Sequence, residues 1–317
     1  MVEKRNIQAA TERNGRYSEK HRRHFRIADI TIEVQSDLPI HDNTFHPKFK
    51  AFETTGLARD TVIFRHHFST PPLDASKPGR QLLHSPPWRV YRMGHRWIYV
   101  CSGSRDTNRQ ASQVAVLSEK FRINRFYNDE RKRKLFQEGG VATLSMMPTD
   151  QLLLAQVLAQ RQGCYFHAAG MVYRDAGFLF MGHSGAGKST LVRMLQDQSD
   201  ILCDDRIILR RHAKEYRIHG TWSHGDISYI SPEAAPLKGI LFLEKSGASR
   251  LEPAMDFRRA IRKLLSFLVR PLPSKDWWER SISLIGDLAL EVPCHVLHFS
   301  QNPGLARTLD RLFCEDR

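Results

Sequence analysis

The sequence of 317 residues predicts an α/β protein, in which a mostly β N-terminal domain precedes an α/β domain built around a glycine-rich loop. Alternating and β-branched runs fill residues 25–145 and are typical of strands. Pro148 and the apolar stripe that follows it mark a domain boundary near residue 146. In residues 146–317, an apolar run leads into the pattern G-x-x-x-x-G-K-S and then into an apolar helical stripe.

The N-terminal region divides into a basic arm, residues 1–24, and the β domain that follows it. The arm is polar and rich in lysine and arginine, so we expect it to be flexible or a frayed helix. Strand character marks four segments of the β domain: 30–34, 61–68, 88–93 and 96–101. Gly94-His95 lies between the last two and predicts a hairpin. The proline-rich residues 69–87 predict a long loop, and the charged run 128–134 predicts an exposed turn or short helix.

The C-terminal domain opens with a helical stripe. Thr149 is placed to cap its N-terminus, and Gly163 is placed to cap its C-terminus. Two apolar runs, 164–172 and 178–181, are joined by a turn at 174–175 and predict a hairpin. Further apolar runs predict strands at 201–203, 207–209, 216–218, 239–243 and 292–299. Apolar stripes predict helices at 257–269, 277–289 and 305–313.

Gly182 to Ser189 spells the phosphate-binding loop pattern between a buried strand and a helix. In such a loop, glycines let successive N–H groups turn towards an anion, and the helix presents its positive end to the same phosphates. Lys188 would reach the terminal phosphates of ATP, and Ser189 would offer its hydroxyl to Mg²⁺. The alternative is a glycine-rich turn that matches by accident. The predicted nucleotide-binding residues are Gly182, His183, Ser184, Gly185, Ala186, Gly187, Lys188, Ser189 and Thr190.

Asp204 and Asp205 follow the apolar run 201–203, shortly after the glycine-rich loop. Acidic residues at the end of a strand beside a phosphate loop hold Mg²⁺ or accept a proton from an attacking hydroxyl. Two adjacent carboxylates could divide these roles, and the pattern leaves open which residue takes which role. We name Ser189 and Asp205 as the metal ligands. The alternative is a pair of loop aspartates that cap the next element.

Other polar residues give weaker site predictions. His167 lies on an apolar strand, where a histidine is more often a satisfied core residue. His224 lies in a glycine-flanked loop that either reaches the site or is plain surface. Glu244 is either a metal ligand or an exposed strand end. A helical cluster of cations is typical of a solvated face: Arg258, Arg259, Arg262 and Lys263.

Lysine and arginine outnumber aspartate and glutamate by 48 to 34, and the formal charge is +14. This charge favours acidic partners such as nucleotides, acidic peptides and nucleic acid, or else reflects a solvated basic surface. No recognised motif supports nucleic-acid binding, so we rank that class last. The five cysteines form no C-x-x-C pair, and we find neither a signal peptide nor a membrane span. We therefore expect reduced thiols in a cytoplasmic protein.

Several motifs of the C-terminal domain resemble those of known kinases. His167-Ala168-Ala169-Gly170, the glycine-rich loop and Asp204-Asp205-Arg206 resemble the catalytic domain of HPr kinase/phosphorylase, which shares its nucleotide core with ATP-dependent phosphoenolpyruvate carboxykinase. Residues 220–225, 231–237 and 292–297 resemble motifs of HPr-kinase-related proteins encoded beside modified-peptide genes. That group includes lasso-peptide precursor kinases and the SynChlorMet cassette type. The resemblance covers residues 146–317.

The resemblance implies an HPr kinase-like, carboxykinase-like fold and ATP-dependent phosphorylation of a serine hydroxyl on a small protein or peptide. It implies that His167 is an active-site residue and that Asp204 and Asp205 are the acid–base and metal pair. The sequence lacks the glycine-rich signature that follows the nucleotide core in HPr kinase/phosphorylase, so the resemblance does not extend to HPr as substrate or to the reverse reaction. The alternative is a regulatory module that binds or hydrolyses ATP without a phosphoacceptor. The oligomeric state, including a homo-oligomer, stays open.

Overall fold

A computed structural model of the protein describes residues 17–56, 58–71, 79–102, 111–213, 215–271 and 274–300. The chain divides into two compact units, Met1–Asp150 and Gln151–Arg317. Each unit contains a large mixed β-sheet accompanied by helices, so the protein is of the α/β class that the sequence predicts. Within the described ranges, no helix combines the length and the hydropathy of a membrane span. The predicted helix 305–313 and most of the predicted arm lie outside the described residues.

The sheet of the first unit has eight strands within the described residues. They are β1 (Arg22–Ile27), β2 (Ile30–Ser36), β3 (Thr61–His67), β4 (Arg80–Ser85), β5 (Trp88–Met93), β6 (Arg96–Ser102), β7 (Ala111–Ser118) and β8 (Ile123–Asn128). Their order across the sheet is β1-β2-β3-β8-β7-β6-β5-β4. The pairs β2–β3 and β3–β8 are parallel, and the other neighbouring pairs are antiparallel.

Helical segments and an aromatic core cover one face of this sheet. The segments are the 3₁₀ turn Pro47–Phe52 and the helix α1, Glu130–Glu138, and a further 3₁₀ turn, Glu19–His21, precedes β1. Phe25 of β1 packs edge-to-face against Phe45 and Phe49. Because the side chains of a strand alternate between two faces, the apolar set of β2 points to the same core. Ile30, Ile32 and Val34 are accordingly fully buried, as their alternation predicts.

Two predictions for the first unit need correction. Residues 22–24 begin β1 and are not part of a flexible arm, because the whole strand pairs with β2. The stretch 69–87 is not one long loop, since it contains β4, which pairs antiparallel with β5. The prolines at 86 and 87 form the turn between these two strands and do not interrupt either one. The predicted hairpin at Gly94-His95 is confirmed, with Met93 paired to Arg96.

The second unit contains eight strands and four helices within the described residues. The strands are β9 (Gly163–Tyr173), β10 (Ala176–Met181), β11 (Asp200–Cys203), β12 (Arg206–His212), β13 (Glu215–His219), β14 (Ala234–Lys245), β15 (Arg250–Leu251) and β16 (Cys294–Phe299). The helices are α2 (Gln151–Ala159), α3 (Lys188–Leu195), α4 (Phe257–Ser266) and α5 (Lys275–Glu291). The sheet order is β10-β9-β12-β13-β14-β16-β15, β11 pairs with β9, and β10 also pairs with β14.

Strand β10 is apolar throughout because both of its faces are buried. Phe178 and Phe180 pack on one side with α3, through Leu191 and Val192 among others. Leu179 and Met181 pack on the other side with α4 and α5. Strands covered on both faces read as continuous apolar runs, which is the pattern that predicts this strand. The predicted hairpin between β9 and β10 is also confirmed, and both residues of its turn, at 174 and 175, have positive φ.

Two predicted helix ends differ from the structure. Helix α2 ends at Ala159, so Gly163 is not its cap; a side chain at Gly163 would instead press on the carbonyl of Leu209 in the paired strand β12. Helix α4 ends at Ser266 and does not reach 269. The backbone of Phe267 leaves the helix because its carbonyl accepts the N–H of His167 in β9 at 2.8 Å. Tertiary pairing thus ends α4 one turn early.

Candidate functional site

The candidate site lies where strand β9 changes its partners. Up to His167, β9 pairs with β12, and from Ala168 onward it pairs with β10. Asp204-Asp205 connect β11 to β12 beside this point, and the N–H of Ala168 donates to the carbonyl of Asp205 at 3.1 Å. Because Met181, the last residue of β10, is the partner of Ala168, the glycine-rich loop begins beside the same break. The fold therefore brings three predicted segments together.

The glycine-rich loop connects β10 to α3 and needs glycine at two positions. Gly187, which precedes α3, has φ of 102°, and a side chain there would overlap the ring of Phe299. Gly185 has φ of 77°, but no heavy atom lies within 4 Å of the position that its Cβ would take. The ring of Phe299 thus packs against the loop at Gly187, whereas the space beside Gly185 is open. Its N–H groups adjoin the N-terminus of α3, which carries partial positive charge.

Lys188 begins α3 and is buried, although it belongs to a loop with exposed residues. Its Nζ donates to the carbonyl of Gly182 at 2.6 Å and lies 3.5 Å from the carbonyl of His183. Burial lowers the pKa of Lys188, and the nearby charges of Asp205, Asp204 and Asp226 offset this effect in part. The ammonium therefore turns back along the loop, where the charges of nearby carboxylates favour its ionised form.

Asp205 is held by two cationic or polar side chains. Its Oδ1 lies 3.0 Å from Nε2 of His167 and 2.8 Å from the guanidinium of Arg206. Burial alone would raise the pKa of Asp205, but the hydrogen bond from His167 and the charges of Arg206 and Lys188 outweigh it and lower the pKa. Arg206 is itself positioned by Gln151, whose Oε1 accepts its Nε–H at 3.3 Å. Asp205 is therefore a fixed carboxylate that favours its ionised form.

Asp204 has a different environment, since its side chain is almost completely buried. Oδ1 accepts the N–H of Gly225 at 2.7 Å, and Oδ2 accepts the N–H of Ile227 at 3.1 Å. A side chain at Gly225 would press against Asp204 Oδ2, so the loop approaches closely only because this residue is glycine. Asp204 thus binds the backbone of residues 225–227.

Asp226 is carried into the site by this contact. Its Oδ2 accepts the hydroxyl of Ser189 at 3.4 Å, so a second carboxylate stands beside the predicted metal ligand. His224, the residue of this loop that the sequence singled out, is exposed and its Nδ1 lies 3.1 Å from the carbonyl of Gly225. The loop therefore does reach the site, but Asp226 makes the contact with α3.

Residues 136–313, more than half of the chain, match the family described as SynChlorMet cassette protein ScmC. The chain belongs to the ScmC family. The resemblance to the SynChlorMet cassette type that the motifs indicate is confirmed. Among solved structures, the HPr(Ser) kinase/phosphatase from Coxiella burnetii is similar to 47% of this chain and 95% of its own, with 18% identity and a TM-score of 0.29. No curated protein matches the chain.

Three of the remaining candidate residues lie in ion pairs: Glu244, Arg259 and Lys263. Glu244 is exposed and pairs with Lys263 of α4 at 3.2 Å, which fits the interpretation as an exposed strand end. Arg259 pairs with Glu252 at 3.4 Å, and Glu252 also contacts His298 at 2.7 Å. The basic helix is thus partly neutralised by the acidic residues beside it.

The ScmC site also contains residues that the sequence did not single out. In the sequence, Arg206 stands out only as the last residue of the Asp204-Asp205-Arg206 motif. Its position directly after the aspartate pair is the signal, because a cation is expected near a fixed carboxylate. Asp226 follows Gly225 in the same glycine-flanked loop as His224. This position in the loop is the signal by which the sequence could have identified Asp226 as a site residue. Phe299, which supports Gly187, gave no signal, because an aromatic residue at the end of a strand is common in any core.

The donor atoms of the ScmC site suit a polyphosphate and a hard divalent cation. Loop N–H groups, the α3 N-terminus and the Lys188 ammonium are the groups that bind phosphate oxygens. The hydroxyl of Ser189 and the carboxylates of Asp226 and Asp205 are oxygen donors of the kind that Mg²⁺ prefers. His167 and Arg206 fix Asp205 without adding soft ligands. The arrangement fits a nucleotide polyphosphate and a divalent cation by its chemistry.

Proposed function

We propose that the protein is an ATP-dependent kinase that phosphorylates a serine hydroxyl on a small acidic protein or peptide. The observation that carries this proposal is the position of Asp205, which His167 and Arg206 hold in place beside the glycine-rich loop of the buried Lys188. A cation at a glycine-rich loop suits the terminal phosphates, and a fixed carboxylate near the loop suits the attacking hydroxyl.

The loop would bind the phosphates of ATP through its backbone. The open space above Gly185 leaves room for phosphate oxygens, and the positive φ of Gly185 and Gly187 allows the loop to curve around them. Lys188 would exchange the carbonyl of Gly182 for a terminal phosphate oxygen. Since the ammonium is buried, this pairing would be stronger than one at the surface.

The metal ion would be held by hydroxyl and carboxylate oxygens. Ser189 is suited to this role by its hydroxyl, and Asp226 by the carboxylate that contacts it. Bound Mg²⁺ would neutralise the negative charge of the phosphates during transfer.

The two adjacent aspartates would have separate roles. Asp205 would accept the proton of the serine hydroxyl, because its lowered pKa keeps it ionised and its contacts with His167 and Arg206 fix its position. A weak base suffices when the transition state is loose and the proton leaves late. Asp204 is fully engaged by two backbone N–H groups and would act as a positioning residue for Asp226.

The test is transfer of the γ-phosphate. The full chain is incubated with Mg²⁺, γ-labelled ATP and a serine-containing acidic peptide, and the label on the peptide is counted beside free phosphate. We expect labelled peptide with wild-type protein and almost none with Asp205→Asn. Hydrolysis of ATP without labelled peptide, for every acidic peptide offered, would reject the kinase in favour of the regulatory module.

A further inference from the structure

One face of the first unit's sheet is apolar, and the other carries arginines. Registered partners on neighbouring strands point to the same face, and so do residues two apart on one strand. Arg22, Gln35, Arg65 and Arg125 are successive partners across β1, β2, β3 and β8. Within the described strands, the same face bears six arginines: Arg22, Arg26, Arg65, Arg89, Arg96 and Arg125. We call this surface the arginine face.

Several arginine side chains lie near one another at the centre of the arginine face. Arg65 donates to Oε1 of Gln35 at 2.8 Å, and its guanidinium lies 5.2 Å from the ring centre of Tyr17. Burial and the charges of Arg65 and Arg96 lower the pKa of Arg125. In the described part of the chain, no carboxylate forms an ion pair with Arg96 or Arg125. A half-buried guanidinium beside two others is electrostatically unfavourable, and a bound anion would relieve it.

The carboxylates of this face are already engaged. Asp37 contacts His67 at 3.1 Å and the hydroxyl of Tyr17 at 3.4 Å. Glu33 is buried and accepts from the amide of Gln35 at 2.9 Å. Neither residue is paired with Arg65, Arg96 or Arg125, so the centre of the face keeps a net positive charge. A ligand that carries several separate carboxylates would complement the positive charge of this surface.

We propose that the arginine face, centred on Arg65, Arg96 and Arg125, binds an acidic segment of the peptide that the second unit phosphorylates. This inference rests on the proposed kinase function and adds where the acceptor is recognised. The forked donors of arginine match carboxylate oxygens, often in pairs. A row of them across neighbouring strands suits an extended segment with several carboxylates.

An acidic peptide fits this face better than nucleic acid. Single-stranded nucleic acid is bound mainly by stacking of its bases on free aromatic rings. Here the ring of Tyr127 is stacked on His67, with centres 5.0 Å apart, and Tyr17 lies against Arg65.

The sheet is also a better docking surface than the basic helix α4. Two of the four cations of that helix, Arg259 and Lys263, are paired with Glu252 and Glu244. The remaining two, Arg258 and Arg262, are exposed to water, where screening weakens their attraction. Arg65 and Arg125 are half-buried and attract a carboxylate more strongly, because less of their field is screened.

The experiment measures binding of a fluorescein-labelled peptide of alternating glutamate and serine to the full chain, by anisotropy and without ATP. The test variant is Arg65→Gln with Arg125→Gln, and the matched control is Arg258→Gln with Arg262→Gln, which removes the same charge. We expect about tenfold weaker binding or more in the test variant, as for loss of charge-assisted hydrogen bonds. The control should stay within about twofold of wild type.

A charge-conserving variant and the affinity for Mg·ATP show whether a loss of peptide binding comes from the arginines themselves or from a general disturbance of the protein. The variant Arg65→Lys with Arg125→Lys keeps the charge and should recover part of the binding, and Mg·ATP affinity should be unchanged in every variant. Equal losses in the test and control variants, or none in either, would overturn the proposal. Tighter binding of a uridine oligonucleotide of equal length would overturn it in favour of nucleic acid. Peptide binding that follows this pattern without any phosphorylation supports the docking face and rejects the kinase.

Discussion

Oδ1 of Asp205 lies 3.0 Å from Nε2 of His167. The two residues come from a connecting turn and from the strand beside it, and the pairing of β9 with β12 brings them together. The preceding residue, Asp204, contacts neither of the groups that hold Asp205 and instead accepts backbone N–H groups from residues 225 and 227. Two adjacent carboxylates therefore have distinct environments, and substitution of each should have a distinct consequence.

Replacement of Asp205 should affect turnover, while replacement of Asp204 should affect stability. Asp205→Asn removes the proposed proton acceptor, so we expect turnover to fall by about 100-fold or more with Mg·ATP affinity changed only a few-fold. Asp204→Asn sets an amide N–H₂ against a backbone N–H and should lower the free energy of unfolding by about 1–3 kcal/mol. Peptide phosphorylation and urea unfolding measure the two effects.

Asp200→Asn is the matched control, because Asp200 is an exposed aspartate at the start of β11. It should leave both turnover and unfolding close to wild type. If Asp204→Asn and Asp205→Asn lost turnover equally and kept wild-type stability, the division of roles between them would be wrong.

Lys188→Ala should weaken the binding of Mg·ATP. The ammonium is buried at the loop and would pair with a terminal phosphate, so its loss should lower affinity by roughly 10- to 100-fold, the scale of a charge-assisted hydrogen bond. Lys245→Ala, at the exposed end of β14, is the control and should have no effect. Titration calorimetry with Mg·ATP gives the two affinities. Equal affinities in Lys188→Ala and wild type would contradict the nucleotide site.

The site could be predicted from the sequence where local patterns determine it. The apolar run of β10, the positive-φ glycines and the stripe of α3 are signals within a few neighbouring residues, and the structure has these elements. The turn at 174–175 is likewise set by local conformation. Patterns of this kind depend on periodicity and on residue type, which the sequence contains directly.

Contacts between distant residues could not be predicted in this way. Asp226 meets Ser189 only because Asp204 binds the loop around Gly225. Helix α4 ends early because the carbonyl of Phe267 accepts the N–H of His167 in β9. Both features arise from contacts between segments that are far apart in the sequence, and neither leaves a periodic trace in the sequence.

The first unit should lose stability in mild acid because of His66. This buried side chain contacts the carbonyl of Leu144 through Nε2 at 2.8 Å, and the amide of Asn128 lies 3.3 Å from Nδ1. With Nε2–H donating and Nδ1 accepting, the neutral ring is satisfied at both nitrogens. Burial lowers the pKa of His66 from 6.5 to about 4, against a smaller opposing effect of the Leu144 hydrogen bond.

The direction of this pH effect on stability follows from proton binding at His66. Between pH 6.5 and about 4 the unfolded chain binds a proton at His66 that the folded chain does not. The stabilisation is therefore complete above pH 6.5 and is lost as the pH falls towards 4, by at most about 3 kcal/mol. Urea midpoints of wild type and His66→Gln at about pH 7.5 and pH 5 measure it. The midpoint of wild type should fall more than that of His66→Gln; equal falls would show that other groups are responsible.

Phe299 should determine how strictly the loop requires glycine at position 187. Gly185→Ala and Gly187→Ala both force alanine into positive φ, which costs about 1–2 kcal/mol. Only the methyl at 187 would also overlap the ring of Phe299, since the space around residue 185 is open. Gly187→Ala should therefore destabilise the second unit more than Gly185→Ala and should shift the N-terminus of α3.

A double-mutant cycle separates the clash from the backbone strain. Phe299→Leu removes the ring edge, so it should recover part of the stability lost in Gly187→Ala, with a coupling energy of about 1 kcal/mol or more. It should recover nothing in Gly185→Ala, where the coupling energy should be close to zero. The measurements are urea unfolding and Mg·ATP titration of the six proteins in the two cycles. Because each cycle cancels the φ strain of its alanine variant, equal coupling at the two positions would mean that Phe299 does not support the loop at Gly187.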